Sequence, residues 1–300
     1  MSKEILDPIE QTIRLNTYLI ESGDKLPSPV ITVGGQAIVY WISTYLTRYP
    51  QGKEPDISRM RTIDVDYVAR RESASVISDI FNVQLQMQDP FTPPSIAVLN
   101  MIDRDTGKIK EDAAGNLFAD PLMNSPNLVD IIDRPAGFEA KDFSDAKLRL
   151  NTELFQVLPE QHGSRMTHEM VRILNPVACI RSRLGNITQK VKRDVPQEIE
   201  RIKALLIPAY HFLMDKLEGL SFREARPYVD AFAQVIWDNR YRRTLVNYQL
   251  PLYKILAAIQ TELATNKDNY DLPIAFIERE LPAIIRRHEE TYKRLCNQYQ

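Results

Sequence analysis

The sequence predicts an α+β protein: an N-terminal helix (1–23), a sheet with flanking helices over 24–170, and an α-helical C-terminal domain over 171–300. Three observations carry that expectation. Short β-branched runs alternate with amphipathic stretches as far as Pro176, and β-signals fade beyond it. The charge changes sign at the same place, with a balance of −7 over residues 1–175 and +5 over residues 176–300, which suggests two jobs for the two halves. The composition is 44% hydrophobic and 26% charged with only 10 glycines in 300 residues, which excludes a disordered, collagenous or repeat-built chain.

Two cysteines, Cys179 and Cys296, make neither a disulfide framework nor a cysteine-rich zinc site. The opening residues carry charges where a signal peptide needs its apolar stretch, so a cytoplasmic location is expected. Val30 to Leu46 is the most apolar stretch, but Gly34-Gly35-Gln36 and Ser43-Thr44 interrupt it and it is too short to span about 30 Å of hydrocarbon. No membrane is expected as a partner.

Residues 3–22 place Ile5, Ile9, Ile13, Leu15, Leu19 and Ile20 at mostly helical spacings and stop at Gly23, which predicts an amphipathic helix. Val30-Ile31-Thr32-Val33 then reads as a strand that ends at Gly34-Gly35, and Gln36 to Tyr49 as an apolar helix. After a polar loop, residues 61–69 alternate Ile63, Val65 and Tyr67 against Thr62, Asp64 and Asp66, a strand with two aspartates on one face. Residues 72–86 read as helix, 95–102 as strand, 103–107 as turn and 128–132 as strand. Beyond Pro176 four helices are expected, at 195–219, 221–239, 242–265 and 273–297.

Two carboxylates spaced as Asp-x-Asp lie roughly 6–7 Å apart along a strand. Hard divalent cations such as Mg²⁺ take oxygen ligands and keep sites for substrate phosphates, so such a pair beside a glycine turn makes a polyphosphate site. Glycine lets backbone N–H groups approach a phosphate, and the start of the following helix favours negative charge. Alone, a Gly-Gly turn is an ordinary turn and an Asp-x-Asp is an ordinary solvated face. The order here raises both: strand, Gly34-Gly35, helix, a strand with Asp64 and Asp66, then Asp130 inside Leu-Val-Asp-Ile-Ile. An acid among apolar neighbours needs a partner, and a metal shared with Asp64 and Asp66 would supply one.

At these residues the chain resembles the DNA polymerase β-like nucleotidyltransferase superfamily, through VITVGGQA (30–37), TIDVDYV (62–68) and LVDII (128–132). The segment ILNPVACIRSRLGNI (173–187) is similar to the start of the helical portion of the bacterial abortive-infection nucleotidyltransferase toxins. The resemblance covers residues 28–200 and implies a nucleotidyltransferase-type mixed sheet. It implies an enzyme that moves a nucleoside monophosphate from an NTP to a hydroxyl of an RNA, protein or small molecule, as a toxin or defence protein with a cognate antitoxin. It further implies Asp64, Asp66 and Asp130 as catalytic residues and ligands of Mg²⁺ or Mn²⁺, with Gly34, Gly35, Gln36 and Arg183 on the NTP. Three departures stand out: 28 residues separate Gly35 from Asp64, Gly35 replaces the serine of Gly-Ser members, and Arg183 stands where many relatives have lysine.

The remaining letters carry less. Of His162, His168, His211 and His288, only His168-Glu169 looks like a zincin start, and no second histidine follows at the needed spacing. No Gly-Lys-Ser/Thr phosphate loop occurs. Lys190, Lys192, Arg193, Arg240, Arg242, Arg243 and Lys254 are interleaved with Tyr241, Tyr248 and Tyr253, a mixture suited to RNA and equally to a solvated helix face paired with acids such as Asp238. Trp41 and Trp237 read as core. Two rival readings are a non-catalytic binding or scaffold protein on the same fold and a nucleotide-sugar glycosyltransferase. The second ranks low because only one strand–helix unit precedes Asp64.

Overall fold

The computed structural model of the protein describes residues 8–60, 64–88, 95–102, 109–111, 113–114, 127–157, 166–191 and 194–299. The chain divides into two units, one of Met1–Tyr40 with Asp56–Asn175 and one of Trp41–Pro55 with Pro176–Gln300. The helical unit therefore begins at Pro176 rather than at residue 171, and it also takes in Trp41–Pro55, a stretch with no composition or charge signal to set it apart.

In the first unit the expected helix forms as α1 (Pro8–Glu21), with Ile9, Ile13, Leu19 and Ile20 buried. It leads to β1 (Val30–Val33) and α2 (Gly34–Thr44), whose first residue is the first glycine of the pair. A one-turn α3 (Ile57–Met60) precedes β2 (Val65–Val68), α4 (Arg71–Phe81), β3 (Leu85–Met87), β4 (Ser95–Ile102) and β5 (Asn127–Ile132). Then come α5 (Asp145–Asn151), β6 (Thr152–Leu154) and β7 (Val171–Leu174). The strands form one mixed seven-stranded sheet, in the order β3-β4-β5-β2-β1-β7-β6. β1 runs antiparallel to β2 and parallel to β7, while β2 runs parallel to β5.

Register sorts the side chains onto two faces, because residues two apart on a strand and directly paired residues share a face. Thr32, Val65, Tyr67, Val129 and Ile131 occupy one face and are all buried. α1 covers this face, and the Thr32 hydroxyl donates to Asn16 Oδ1 at 3.1 Å. A polar string runs on from there through the α1 backbone: Asn16 Nδ2 donates to the Thr12 carbonyl, and the Thr12 hydroxyl donates to Gln36 Oε1. These groups are buried, and they avoid the cost of burial because each finds a partner. The other face carries Ile31, Val33, Asp66, Val68 and Asp130.

Where the expected helix 72–86 should continue, it stops at Phe81. Asn82 adopts a left-handed conformation with φ of 51°, and the Val83 amide turns back to the Ser78 carbonyl, which frees the chain to enter β3. Gln36 to Tyr49 likewise is not one helix, since α2 ends at Thr44 and a 3₁₀ turn follows over Leu46–Arg48. The expected strand 61–69 is observed as Val65–Val68. Its first residues, 61–63, and the expected turn 103–107 lie outside the described residues.

The second unit is helical: α6 (Pro176–Thr188), α7 (Val195–Ala204), α8 (Leu206–Gly219), α9 (Phe222–Trp237), α10 (Asn239–Asn247), α11 (Tyr253–Thr265) and α12 (Leu281–Tyr299). The expected helix 195–219 breaks at Leu205, because Pro208 has no N–H for the Ala204 carbonyl. The Tyr49 hydroxyl donates to that carbonyl instead, which ties the 41–55 stretch into this unit. The expected helix 242–265 also divides, around Pro251 and Gln249, the latter at φ of 52°. Residues Phe276–Glu280 form a π-turn ahead of α12, where Pro282 lacks the N–H that a regular helix would offer the Glu278 carbonyl. No helix among the described residues is long and apolar enough to cross a membrane. The chain is thus an α+β protein with a mixed sheet, flanking helices and a helical C-terminal region.

Candidate functional site

The site is built at the end of β1, where the strand gives way to α2. Gly34 has φ of +69°, a conformation that costs an L-residue roughly 1–2 kcal/mol. A side chain there would also meet the Asp66 carboxylate, which fills the space a Cβ would take. Glycine is thus required twice, by backbone conformation and by close approach. The contact follows from register, since Val33 pairs with Asp66 across β1 and β2. Asp66 is thereby held at the positive end of α2, whose first turn contains no acidic residue of its own.

On the opposite side of β2, Asp66 pairs with Asp130 of β5 in a parallel ladder, so the two acids leave the same face from strands about 4.8 Å apart. Both are half-buried. The Ser95 hydroxyl, on β4, donates to Asp130 Oδ1 at 2.7 Å. Asp66 is therefore met from the β1 side and Asp130 from the β4 side, the two strands that flank this central pair. Like charges at adjacent register positions repel, and a donor or dipole on each outer side offsets that repulsion. The half-buried acid of β5 has a hydroxyl partner that the sequence did not disclose. The only local signal was a serine opening a strand.

Asp64 is placed differently. It lies in a bend just before β2 and is exposed. Among the described residues no group of three or more His, Cys, Asp and Glu side chains is arranged to hold a metal ion, so the expected three-carboxylate centre is not assembled there. Two of its three members, Asp66 and Asp130, are brought together. A Mg²⁺ ion commonly uses one or two carboxylates and takes its remaining ligands from water and substrate phosphates, which suits this pair.

Two expected NTP contacts are engaged elsewhere. Gln36 is buried and takes the Thr12 hydroxyl in the polar string beneath α1, so its side chain is part of the core. Arg183 is only 5% exposed and belongs to a buried cluster in the helical unit. Its Nη1 lies 3.2 Å from Glu198 Oε2, its Nη2 donates to Ser182 Oγ at 3.2 Å, and Arg201 Nη1 approaches Glu198 Oε1 at 2.8 Å. Asn186 completes the carboxylate's partners, donating to Oε2 at 2.8 Å. The Arg183 charge answers a carboxylate inside the fold, and a phosphate would have to compete with it. Gly35 is buried as the second residue of α2.

The basic, tyrosine-bearing helices are also more internally occupied than their letters suggested. Arg240 forks onto Asp238, with Nη2 to Oδ2 at 2.6 Å and Nε to both oxygens. Arg242 and Arg287 stack against Trp237, their guanidinium carbons 4.8 and 4.2 Å from the ring centroid. Tyr241 and Tyr253 are buried, which leaves Tyr248 exposed for contact with a partner. His288 packs edge-on to Trp237, and burial together with Arg287 and Arg242 pushes its pKa down to about 4. His168 is held by Asp24 and the Met170 amide, His211 stacks on Tyr45, and His162 lies outside the described residues, as do Lys192 and Arg193.

Comparison with protein-family models, with curated proteins and with solved structures gives no match to this chain. The functional reading therefore rests on the site itself.

The fit of Gly34 against Asp66 makes Gly34→Ala a direct test of this geometry. The strained backbone alone should lower unfolding free energy by roughly 1–2 kcal/mol, with displacement of Asp66 adding to it. Urea denaturation reads the effect, and a variant as stable as the parent would show that the close approach is wrong.

Proposed function

We propose that the chain is a metal-dependent nucleotidyltransferase, and the observation that carries the reading is Asp66 lying against Gly34 at the start of α2 while paired in register with Asp130. That arrangement joins a glycine turn, a helix start and two carboxylates on one face. Phosphates favour the first two and a hard cation favours the last. Asp66 and Asp130 would hold Mg²⁺ or Mn²⁺, which when bound neutralises charge on the triphosphate.

In the proposed reaction an acceptor hydroxyl oxygen attacks the α-phosphorus of an NTP. The bond from that phosphorus to the α,β-bridging oxygen breaks, and pyrophosphate leaves with the electron pair. Asp130 takes the hydroxyl proton, a role that its Ser95 hydrogen bond orients. The backbone at Gly34 and Gly35 cradles the β- and γ-phosphates.

The test is thermal denaturation with ATP, GTP, CTP or UTP in the presence and absence of Mg²⁺. At least one NTP should raise the Tm by several degrees only when Mg²⁺ is present, the size expected for a ligand well above its Kd. Absence of any Mg²⁺-dependent shift with all four would favour a binding or scaffold role without catalysis.

A further inference from the structure

Two guanidinium groups of the helical unit share one indole. Arg242 of α10 and Arg287 of α12 lie 4.8 and 4.2 Å from the Trp237 ring centroid, so they stand at most about 9 Å apart, the two distances laid end to end. Stacking on an aromatic face holds a guanidinium in place without neutralising it, and leaves N–H groups on its edge for another acceptor. Arg242 gives one bond to the fold, from Nη2 to the Trp237 carbonyl at 3.1 Å, and its enclosed Nε has no partner. Arg287 is exposed and makes no ion pair or hydrogen bond with another side chain among the described residues. His288, edge-on to the same ring, registers both charges: burial, Arg287 and Arg242 hold it neutral, and no carboxylate offsets them.

The carboxylates of these helices are too few to answer such charges. α10 carries Arg240, Arg242 and Arg243 and no acid, and it packs on α12, which carries Arg286, Arg287, Lys293 and Arg294 against Glu289 and Glu290. Asp238, ahead of α10, is taken by Arg240, and Glu289 is taken by Lys293 at 2.8 Å. Five arginines, Arg242, Arg243, Arg286, Arg287 and Arg294, are thus left with one unpaired carboxylate, Glu290. Like charges held this close repel, and a bound anion relieves the repulsion.

The shape of the surface selects the anion. The cleft beside Trp237, lined by Ile236, Arg242, His288 and Leu295, holds about 20 Å³, room for a water and not for a small organic molecule. The occupant must therefore lie across the surface. Arg287 and Arg294 are seven residues apart and so share a face of α12, about 10 Å apart along its axis. Tyr248, exposed at the end of α10, offers a ring on which a base can stack. Guanidinium forks match phosphate oxygens two at a time. From this we infer that α10 and α12 bind the phosphate backbone of a single-stranded nucleic acid, with Arg242 and Arg287 on its phosphates.

The experiment titrates a short fluorescein-labelled oligouridylate with the full chain, in the absence of NTP and metal, and follows fluorescence anisotropy. The parent should bind it with an affinity that falls as salt rises, because each neutralised phosphate releases counterions. Arg242→Gln combined with Arg287→Gln should weaken binding about tenfold or more and flatten the salt slope by about 1.4, two contacts at about 0.7 each on a single strand. Lys25→Gln combined with Arg71→Gln removes the same charge from exposed positions of the first unit, and should leave affinity and slope nearly unchanged. Circular dichroism and the urea midpoint check that both double variants fold.

A second measurement locates the strand without touching the arginines. The chain has two tryptophans, and Trp41→Phe leaves Trp237 as the sole indole emitter. Oligouridylate should shift that emission in step with the anisotropy, since guanidinium groups drawn to phosphate move on the ring. No salt-dependent binding by the parent, equal losses in the two double variants, or binding with no change in Trp237 emission would overturn the inference. Competition by tripolyphosphate or polyglutamate as strong as that by unlabelled oligouridylate would overturn the nucleic-acid assignment, in favour of a small polyanion or an acidic protein segment. None of these outcomes bears on the nucleotidyltransferase reading, which the Mg²⁺-dependent NTP shifts test separately.

Discussion

Asp66→Asn is expected to reduce NTP-dependent label transfer by about a hundredfold to a thousandfold while leaving the protein folded. The substitution keeps the volume and a hydrogen-bonding oxygen and removes only the charge. What it takes away is the negative charge proposed to hold the metal at the helix start beside Gly34, and loss of one electrostatic element of this kind costs about 10²–10³ in rate. The stability change should be small, because Asp66 is half-buried and the favourable effect of a charge at a helix N-terminus is about 0.3–1 kcal/mol. Asp64→Asn should cost far less activity, since Asp64 is exposed in the bend before β2. Single-turnover transfer assays on the two variants, each checked by urea denaturation, make the comparison. Equal activity of Asp66→Asn and the parent would end the catalytic assignment.

Glu198→Ala should produce the largest loss of stability, about 3–5 kcal/mol, because it leaves two buried guanidinium groups facing one another without their anion. Glu198 is 1% exposed, and Arg183 and Arg201 are nearly as enclosed. Burial and the neighbouring Arg183 already depress the Arg201 pKa, so the carboxylate is what makes its charge tolerable. A drop in the urea midpoint with an unchanged m-value is the expected signature. Replacing Glu198, Arg183 and Arg201 together by apolar residues of similar volume should recover most of the loss, since buried ion clusters give little net stability over a packed apolar core. A loss below about 1 kcal/mol from Glu198→Ala would mean that the cluster is hydrated and that Arg183 is available to a phosphate after all.

The sequence by itself determined the elements whose signal is local. Helix α1 was legible because Ile9, Ile13, Leu19 and Ile20 recur at the helical period, and β1–Gly34–α2 because a β-branched run meets glycines and an apolar stretch. Alternation along Asp64-Val65-Asp66-Tyr67 assigned one side of β2 to the core and the other to the carboxylates, which the register of β1, β2 and β5 bears out for Asp66. The three-residue strands β3 and β6 were too short to show a period, and the break between α7 and α8 turned on Pro208, which the surrounding helical pattern masked.

The tertiary structure alone decided who meets whom. Nothing near Asp130 in the chain announces Ser95 or the in-register Asp66, because strand pairing is settled by contacts far apart in sequence. Gln36 and Arg183 carry groups fit for a nucleotide, and burial assigned them to Thr12 and Glu198, since an enclosed amide or guanidinium left without a partner is costly. A cavity within the first unit could not be read from letters at all: it is the space that α5 and the loop before it leave over Ile31 and Val68, and such a space exists only once the chain is packed.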